Sequence, residues 1–244
     1  MQKTTTALVL RSINYGEKDK ILYLYSPEDG VISARLRGVR QQASKMKIFS
    51  LPFCLAEWEL VRSSGNKEFY TVKGATLVDA FFDISTDIDK YCIGCIMLDV
   101  LKSCTYYADD INKLIFVTLL KALKSINYSV INPKIVLCKY LLEVLRIGGY
   151  ALQVDKCQKC GIKISDRAFL NMDEGNVICS TCRDGNCIEL AQGEIACIKN
   201  ISILDFDALS NIKVDSAILD RVLVVLKKDI ESRLQIQINF AQII

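Results

Sequence analysis

The chain has 244 residues, is 51% hydrophobic and 24% charged, and carries a formal charge of +3 with no histidine at all. This balance describes a folded protein with ample core and excludes a disordered one. The missing histidine removes Ser-His-Asp and Cys-His catalysis, mixed Cys/His metal sites and the commonest general base. The positive excess is local: residues 1–80 hold 12 Lys/Arg against 8 Asp/Glu, whereas residues 81–244 hold 19 against 20.

Met1–Thr6 is polar and leads straight into a strand pattern, so no secretion signal is expected there. Thr5–Ser12, Lys20–Ser26, Val31–Arg37, Cys54–Val61 and Glu68–Val78 are expected to be strands, from alternation or β-rich composition. Turn chemistry separates them at Asn14–Gly16, Ser26–Gly30 and Ser63–Asn66. Five short strands with one long link, Gly38–Pro52, suit a small closed barrel of the OB type; an SH3-like barrel is the competing pattern.

The segment Ala34–Lys47 carries five cations, Arg35, Arg37, Arg40, Lys45 and Lys47, and no acid. Alternation puts Ser33, Arg35 and Arg37 on one strand face, which should be exposed because two unpaired guanidiniums are costly to bury. With Ser44 these residues form a candidate phosphate-backbone site, since phosphates attract Lys and Arg by Coulomb forces and counterion release. Tyr23, Tyr25, Phe49 and Tyr70 are candidates to stack on bases, with core packing the alternative. A solvated strand face with no partner is the plain alternative for the basic cluster.

From Ser85 the apolar period lengthens to that of a helix. Ile88, Tyr91, Cys92, Cys95, Ile96 and Leu98 make one stripe; Ile111, Leu114, Ile115, Thr118, Leu119, Ala122 and Leu123 make a second, behind possible caps at Asp109 and Asp110. Asn132 caps a third helix, Pro133 opens it and Gly148-Gly149 stop it. Further helices are expected near Leu190–Asn200, near Ile203–Leu209 and from a cap at Ser216 through Ile230. The longest apolar stretches, such as Val222–Leu226, fall far short of the roughly 18 residues of a membrane span.

Within this helical region Cys157-Gln-Lys-Cys160 and Cys179-Ser-Thr-Cys182 stand 18 residues apart. This is the spacing of a four-thiolate zinc site, with one structural Zn2+ held by two knuckles on a hairpin over 155–185. Strands at Ala168–Met172 and Val177–Cys179 would flank a turn at Asp173–Asn176, and Lys156, Lys159, Lys163 and Arg183 would offset the thiolate charge. A redox pair or two disulfides are the alternatives. Most of the other cysteines sit singly in apolar stripes, as in a reducing cytosol. Cys92/Cys95 form a third CxxC on a buried helical stripe, and Cys187 reads as a loop or core thiol.

The run Ala7–Ile21, with Asn14-Tyr-Gly16-Glu17 and Asp19, resembles the bacterial recombinational repair family RecO. So do Ser26–Gly30, Arg37-Gly38-Val-Arg40 with Ser44-Lys45, Leu51-Pro52-Phe53, Leu141–Tyr150 and the four-cysteine hairpin after it. The resemblance implies an α+β protein: an OB-fold nucleic-acid-binding domain over 1–80 and a helical domain over 81–244 carrying the zinc hairpin. It implies a non-catalytic, cytoplasmic, nucleoid-associated recombination mediator that binds single- and double-stranded DNA and anneals complementary strands. With RecR, such a protein assists RecA loading on DNA coated by the single-stranded-DNA-binding protein. It also implies contact with the acidic C-terminal tail of that coating protein, near Lys139 and Tyr140. The alternative is a zinc-stabilised protein-interaction adaptor without direct DNA contact.

Overall fold

In a computed structural model of the chain the described residues are 2–63, 66–104 and 109–240, with the side chains of 63, 66–68 and 109 outside the description. The turn expected at Ser63–Asn66 and the cap offered at Asp109 therefore fall largely outside it.

Five strands, β1 (Gln2–Tyr15), β2 (Asp19–Ser26), β3 (Gly30–Leu36), β4 (Leu55–Ser63) and β5 (Asn66–Asp79), close into a barrel of order β1-β2-β3-β5-β4. Strand β1 exceeds the expected segment at both ends. Its first half, Gln2–Leu8, pairs with β4, and its second half, to Tyr15, pairs with β2. An irregularity between Val9 and Arg11 lets it turn that corner, because an extra residue bends a strand and increases its twist. The closing contact is the parallel pair Ser33–Phe69 through Arg35–Thr71. Closure gives each of the five strands two neighbours among the described residues.

The alternation seen in the sequence sorts residues into and out of this barrel. Ala7, Val9, Leu22, Leu24, Ile32, Ala34, Leu36, Ala56, Trp58, Leu60, Tyr70 and Val72 fill it. The buried indole of Trp58 donates to Ala7 O at 2.9 Å and meets Phe49 edge-on at 5.9 Å. Lys20 caps one mouth, its ammonium reaching Ser12 Oγ and Ser50 Oγ.

The chain divides into two compact units, Met1–Asp87 with Cys104–Lys113, and Ile88–Ser103 with Leu114–Ile244. The barrel unit is thus larger than residues 1–80. Tyr25, on the outer side of β2, is buried beside Cys104, which burial pushes up to about 12, so Cys104 helps cover an apolar flank. The short helix α1 (Phe82–Thr86) also belongs to this unit.

The second unit is mainly helical: α2 (Ile88–Ser103), most of α3 (Asp109–Tyr128), α4 (Pro133–Ile147), α5 (Gln192–Ile203) and α6 (Ser216–Leu234). Helix α4 is its axis, packing on α2, α5 and α6 and burying Ile135 through Leu142 without a break. Its cap is as expected: Asn132 accepts from Lys134 N at 3.0 Å and Pro133 opens the helix. The cap of α6 is Asp215 rather than Ser216, accepting from Ala217 N at 2.9 Å. A sheet of order β7-β6-β8, built from β6 (Arg167–Asn171), β7 (Asn176–Ile178) and β8 (Cys187–Ala191), carries the cysteine hairpin. Strand β8 is a feature the sequence pattern did not announce. It runs directly into α5, where Glu194 turns back to accept from Ala191 N at 2.9 Å. No helix among the described residues is long and apolar enough to cross a membrane.

Candidate nucleic-acid interface and metal centre

The basic segment after β3 is anchored at several points. Gly38 turns the chain in the left-handed region at φ +64°, and Val39 dives into the barrel, 1% exposed. Met46, Ile48 and Phe49 pack on the same core from the other end of the loop. Along this segment Arg37, Arg40, Lys45 and Lys47 are exposed and Ser44 is half-buried. The loop is stitched internally: Ser44 Oγ accepts from Met46 N at 3.3 Å and Lys47 Nζ donates to Gln42 O at 2.9 Å. It is also stitched to the β1–β2 turn, where Arg40 N donates to Lys18 O at 2.9 Å and Arg40 Nη1 to Gly16 O at 2.6 Å.

Arg35 departs from the expectation of an unpaired cation. Its Nε donates to Asp19 Oδ2 at 2.7 Å, its Nη2 lies 2.5 Å from the same oxygen, and its guanidinium sits over the Tyr15 ring at 5.0 Å. The other Asp19 oxygen accepts from Gly38 N at 2.8 Å. The Gly38 amide first and the Arg35 guanidinium second hold the Asp19 carboxyl below its usual range, against burial, with Arg37 adding a smaller pull. Among the described residues Arg37 and Lys45 have no hydrogen-bond or ion-pair partner. The strand register adds cations that lie far off in sequence. Lys18 is exposed in the laced turn, and Lys73 is exposed two residues beyond the Arg35–Thr71 pair.

Of the four proposed base-stacking rings, Tyr25, Phe49 and Tyr70 are core residues. Tyr23 stays on the surface with Arg11 above it at 4.0 Å, and Tyr15, which the pattern did not single out, is exposed nearby on β1.

Lys139 and Tyr140 do not form a surface for a peptide tail. Tyr140 has no exposed area and donates its hydroxyl to Met97 O at 3.3 Å. Lys139, 4% exposed, is held by Glu143 at 2.8 Å and Ser202 O at 3.0 Å. Both lie on α4, which is enclosed by its neighbours, so placement by distance from the helix end put them on a face that packing closes.

The four expected cysteines do converge. The sulfurs of Cys157, Cys160, Cys179 and Cys182 all lie within 4.8 Å of one another. Gly161 at φ +75° lets the first knuckle fold back, with Gly161 N donating to Cys157 O at 2.9 Å; Cys182 N donates to Cys179 O at 3.1 Å in the second. A tetrahedral ion with thiolate arms of about 2.3 Å needs sulfurs about 3.8 Å apart. Cys160 and Cys179 are 3.8 Å apart, far outside disulfide length. The electrostatics favour thiolate. Burial raises Cys157, but the amides of Cys160, Cys179 and Lys159 outweigh it and pull the thiol to about 6. Cys179 is lowered by the Cys182 amide, while hydrogen bonding to Cys160 and Cys179 pushes Cys182 up to about 12. The cluster thus gives up protons readily at some sulfurs and holds one last, a set that a cation would replace. Four protein sulfurs leave no position for water.

Two expected counter-charges are engaged elsewhere. Lys159 bridges Asp184 at 2.5 Å and Glu174 at 3.2 Å, and Arg183 covers Phe169 at 4.6 Å. Cys187 lies outside the four-sulfur group; it packs beside the group and donates to Asp184 O at 2.8 Å. Burial raises Cys95, a poor setting for a redox pair with the buried Cys92.

Residues 1–81 match the family model described as Recombination protein O N terminal, and residues 85–239 match Recombination protein O C terminal. Similar chains include DNA repair protein RecO of Acetivibrio thermocellus, 24% identical over 95% of this chain and 91% of that protein. The protein of that name from Caldicellulosiruptor saccharolyticus is 26% identical over 92% of this chain and 93% of its own length. That from Thermoanaerobacter sp. is 26% identical over 96% and 93%.

Proposed function

The chain belongs to the recombination protein O family of bacterial DNA repair proteins, serving recombinational repair, and on that premise we propose that it binds DNA through the basic loop of its barrel. The observation that carries this reading is the anchored segment Arg37–Lys47, which presents Arg37, Arg40, Lys45 and Lys47 outward from a closed barrel. Such cations take hold of phosphates whatever the bases, in single or double strands. Base edges stay free, and screening the repulsion between two held strands lets complementary ones pair, so annealing needs no bond-making chemistry from the protein. Action with RecR, and RecA loading on strands coated by the single-stranded-DNA-binding protein, are supported by family membership. The acidic tail of that coating protein would meet exposed residues of the helical unit, not Lys139 or Tyr140. The site of action would be the cytoplasm, at the nucleoid. For the metal centre the reading is one structural Zn2+, supported by the all-sulfur set and its spacing; Cys157, Cys160, Cys179 and Cys182 would hold it.

The test is a triple charge reversal, Arg37→Glu, Arg40→Glu and Lys45→Glu. The variant should keep its circular dichroism and metal content and lose oligonucleotide binding and annealing. Binding equal to wild type at low salt would sink the assignment. The adaptor reading predicts a flat response to salt, where phosphate contacts give a steep negative one.

A further inference from the structure

A carboxylate is out of place in a phosphate-binding face, since it repels the ligand its neighbours attract. Asp19 nonetheless lies beneath the loop cations on the first residue of β2, 9% exposed. Its two oxygens are both used, one on the Gly38 amide and the other on Arg35 Nε and Nη2. Gly38 is where the chain leaves β3 and becomes the basic loop, and Arg37 and Arg40 flank it. The next attachments, Arg40 N to Lys18 O and Arg40 Nη1 to Gly16 O, fall on the same β1–β2 turn. Three ties therefore join the turn to the loop within three residues, and Asp19 provides the only one of them made by a carboxylate.

We infer that Asp19 is a positioning residue of the nucleic-acid interface, locking the basic loop in its binding shape through the Gly38 amide, and that Arg35 completes this lock instead of contacting phosphate. The inference rests on the DNA-binding reading above and deepens it. A loop fixed before the ligand arrives loses less freedom on binding, and this return outweighs one unfavourable charge. Arg35, with its charge matched by Asp19 and its face against Tyr15, adds little to the count of phosphates neutralised.

The experiment measures the affinity of the full-length chain for a fluorescent oligothymidine across a salt series. Asp19→Asn and Glu17→Gln each remove one negative charge from the same turn, but only the first breaks the lock. Charge alone predicts that both bind more tightly. The lock predicts that Glu17→Gln binds as well as wild type or better, while Asp19→Asn binds about tenfold more weakly, the scale of one charge-assisted hydrogen bond. Arg35→Gln should keep the wild-type salt slope, while Arg37→Gln should lower it by about 0.7, the share of one single-strand phosphate. Asp19→Asn matching Glu17→Gln, or an Arg35→Gln slope that falls like that of Arg37→Gln, overturns the inference alone. A wild-type chain that binds no oligonucleotide overturns the function reading and takes the inference with it.

Discussion

Arg233 joins three parts of the helical unit with one guanidinium. Its Nε donates to the buried Asp229 at 2.7 Å, its Nη2 donates to Gly175 O in the β6–β7 turn, and its plane lies over Tyr150 at 5.3 Å. Asp229 is 1% exposed, and its second oxygen has no hydrogen-bond partner among the described residues. Arg233→Ala would leave a buried charge uncompensated, and the unfolding free energy should fall by about 3–5 kcal/mol in a denaturant titration. Burial already raises the Asp229 carboxyl above its usual range despite Arg233. An acid whose folded value exceeds its unfolded value supports the fold below the unfolded value and loses that support as pH climbs through the folded one. The deficit of Arg233→Ala should therefore widen as pH rises above the ordinary aspartate range, about pH 4. A deficit that is flat or shrinks over that rise would refute the charge argument. Gly175→Ala is a second probe of the same joint. The backbone there stands at φ +69°, and an added Cβ would land on the Arg233 guanidinium. It should be less stable than wild type by more than the strain of a left-handed alanine alone, about 1 kcal/mol.

At the scale of elements, the cysteine hairpin is a small sheet whose own core is Cys157, Phe169 and Ile178. So little apolar area around the cysteines gives that end of the sheet a small core of its own, and a metal held by the four sulfurs would supply a further cross-link. Cys179→Ser should lose metal in a content assay and lower the melting temperature of the helical unit. Cys187→Ser, one residue outside the set, should keep the full metal complement; loss of metal in that variant would mean the ligand set is wrong. This hairpin was legible in the sequence because ligand spacing is local and turn residues announce themselves. The barrel strands were legible for the same reason, alternation being visible within one segment. Pairings over distance were not legible. The parallel β3–β5 closure, the Asp19–Arg35 bridge and the enclosure of Tyr140 by neighbouring helices all join residues far apart in the chain. No local period encodes them. Strand β8 escaped for a different reason: its five residues merge into a helix with no turn residue between.

At the scale of the whole molecule, a net charge of only +3 is gathered into a small patch on one unit. DNA binding should then be a modest, counted effect. Four outward cations, Arg37, Arg40, Lys45 and Lys47, imply a slope of about −2.8 in log affinity against log salt for a single strand, or about a fifty-fold loss between 50 and 200 mM. A much steeper slope would place further phosphate contacts elsewhere, Lys18 and Lys73 being the first to substitute. A slope near zero would leave the adaptor reading standing.

The barrel also contains its own optical label. Trp58 is the one tryptophan in the chain, fully enclosed, with its ring nitrogen bonded to the neighbouring strand β1. Light absorbed at the red edge of the aromatic band will therefore be emitted from that barrel alone, and its red shift will time the opening of one unit while the helices stay dark. Chelator added to the intact protein should leave this glow in place even as the melting temperature of the helical unit falls, so the two halves of the chain can be followed separately without adding a dye.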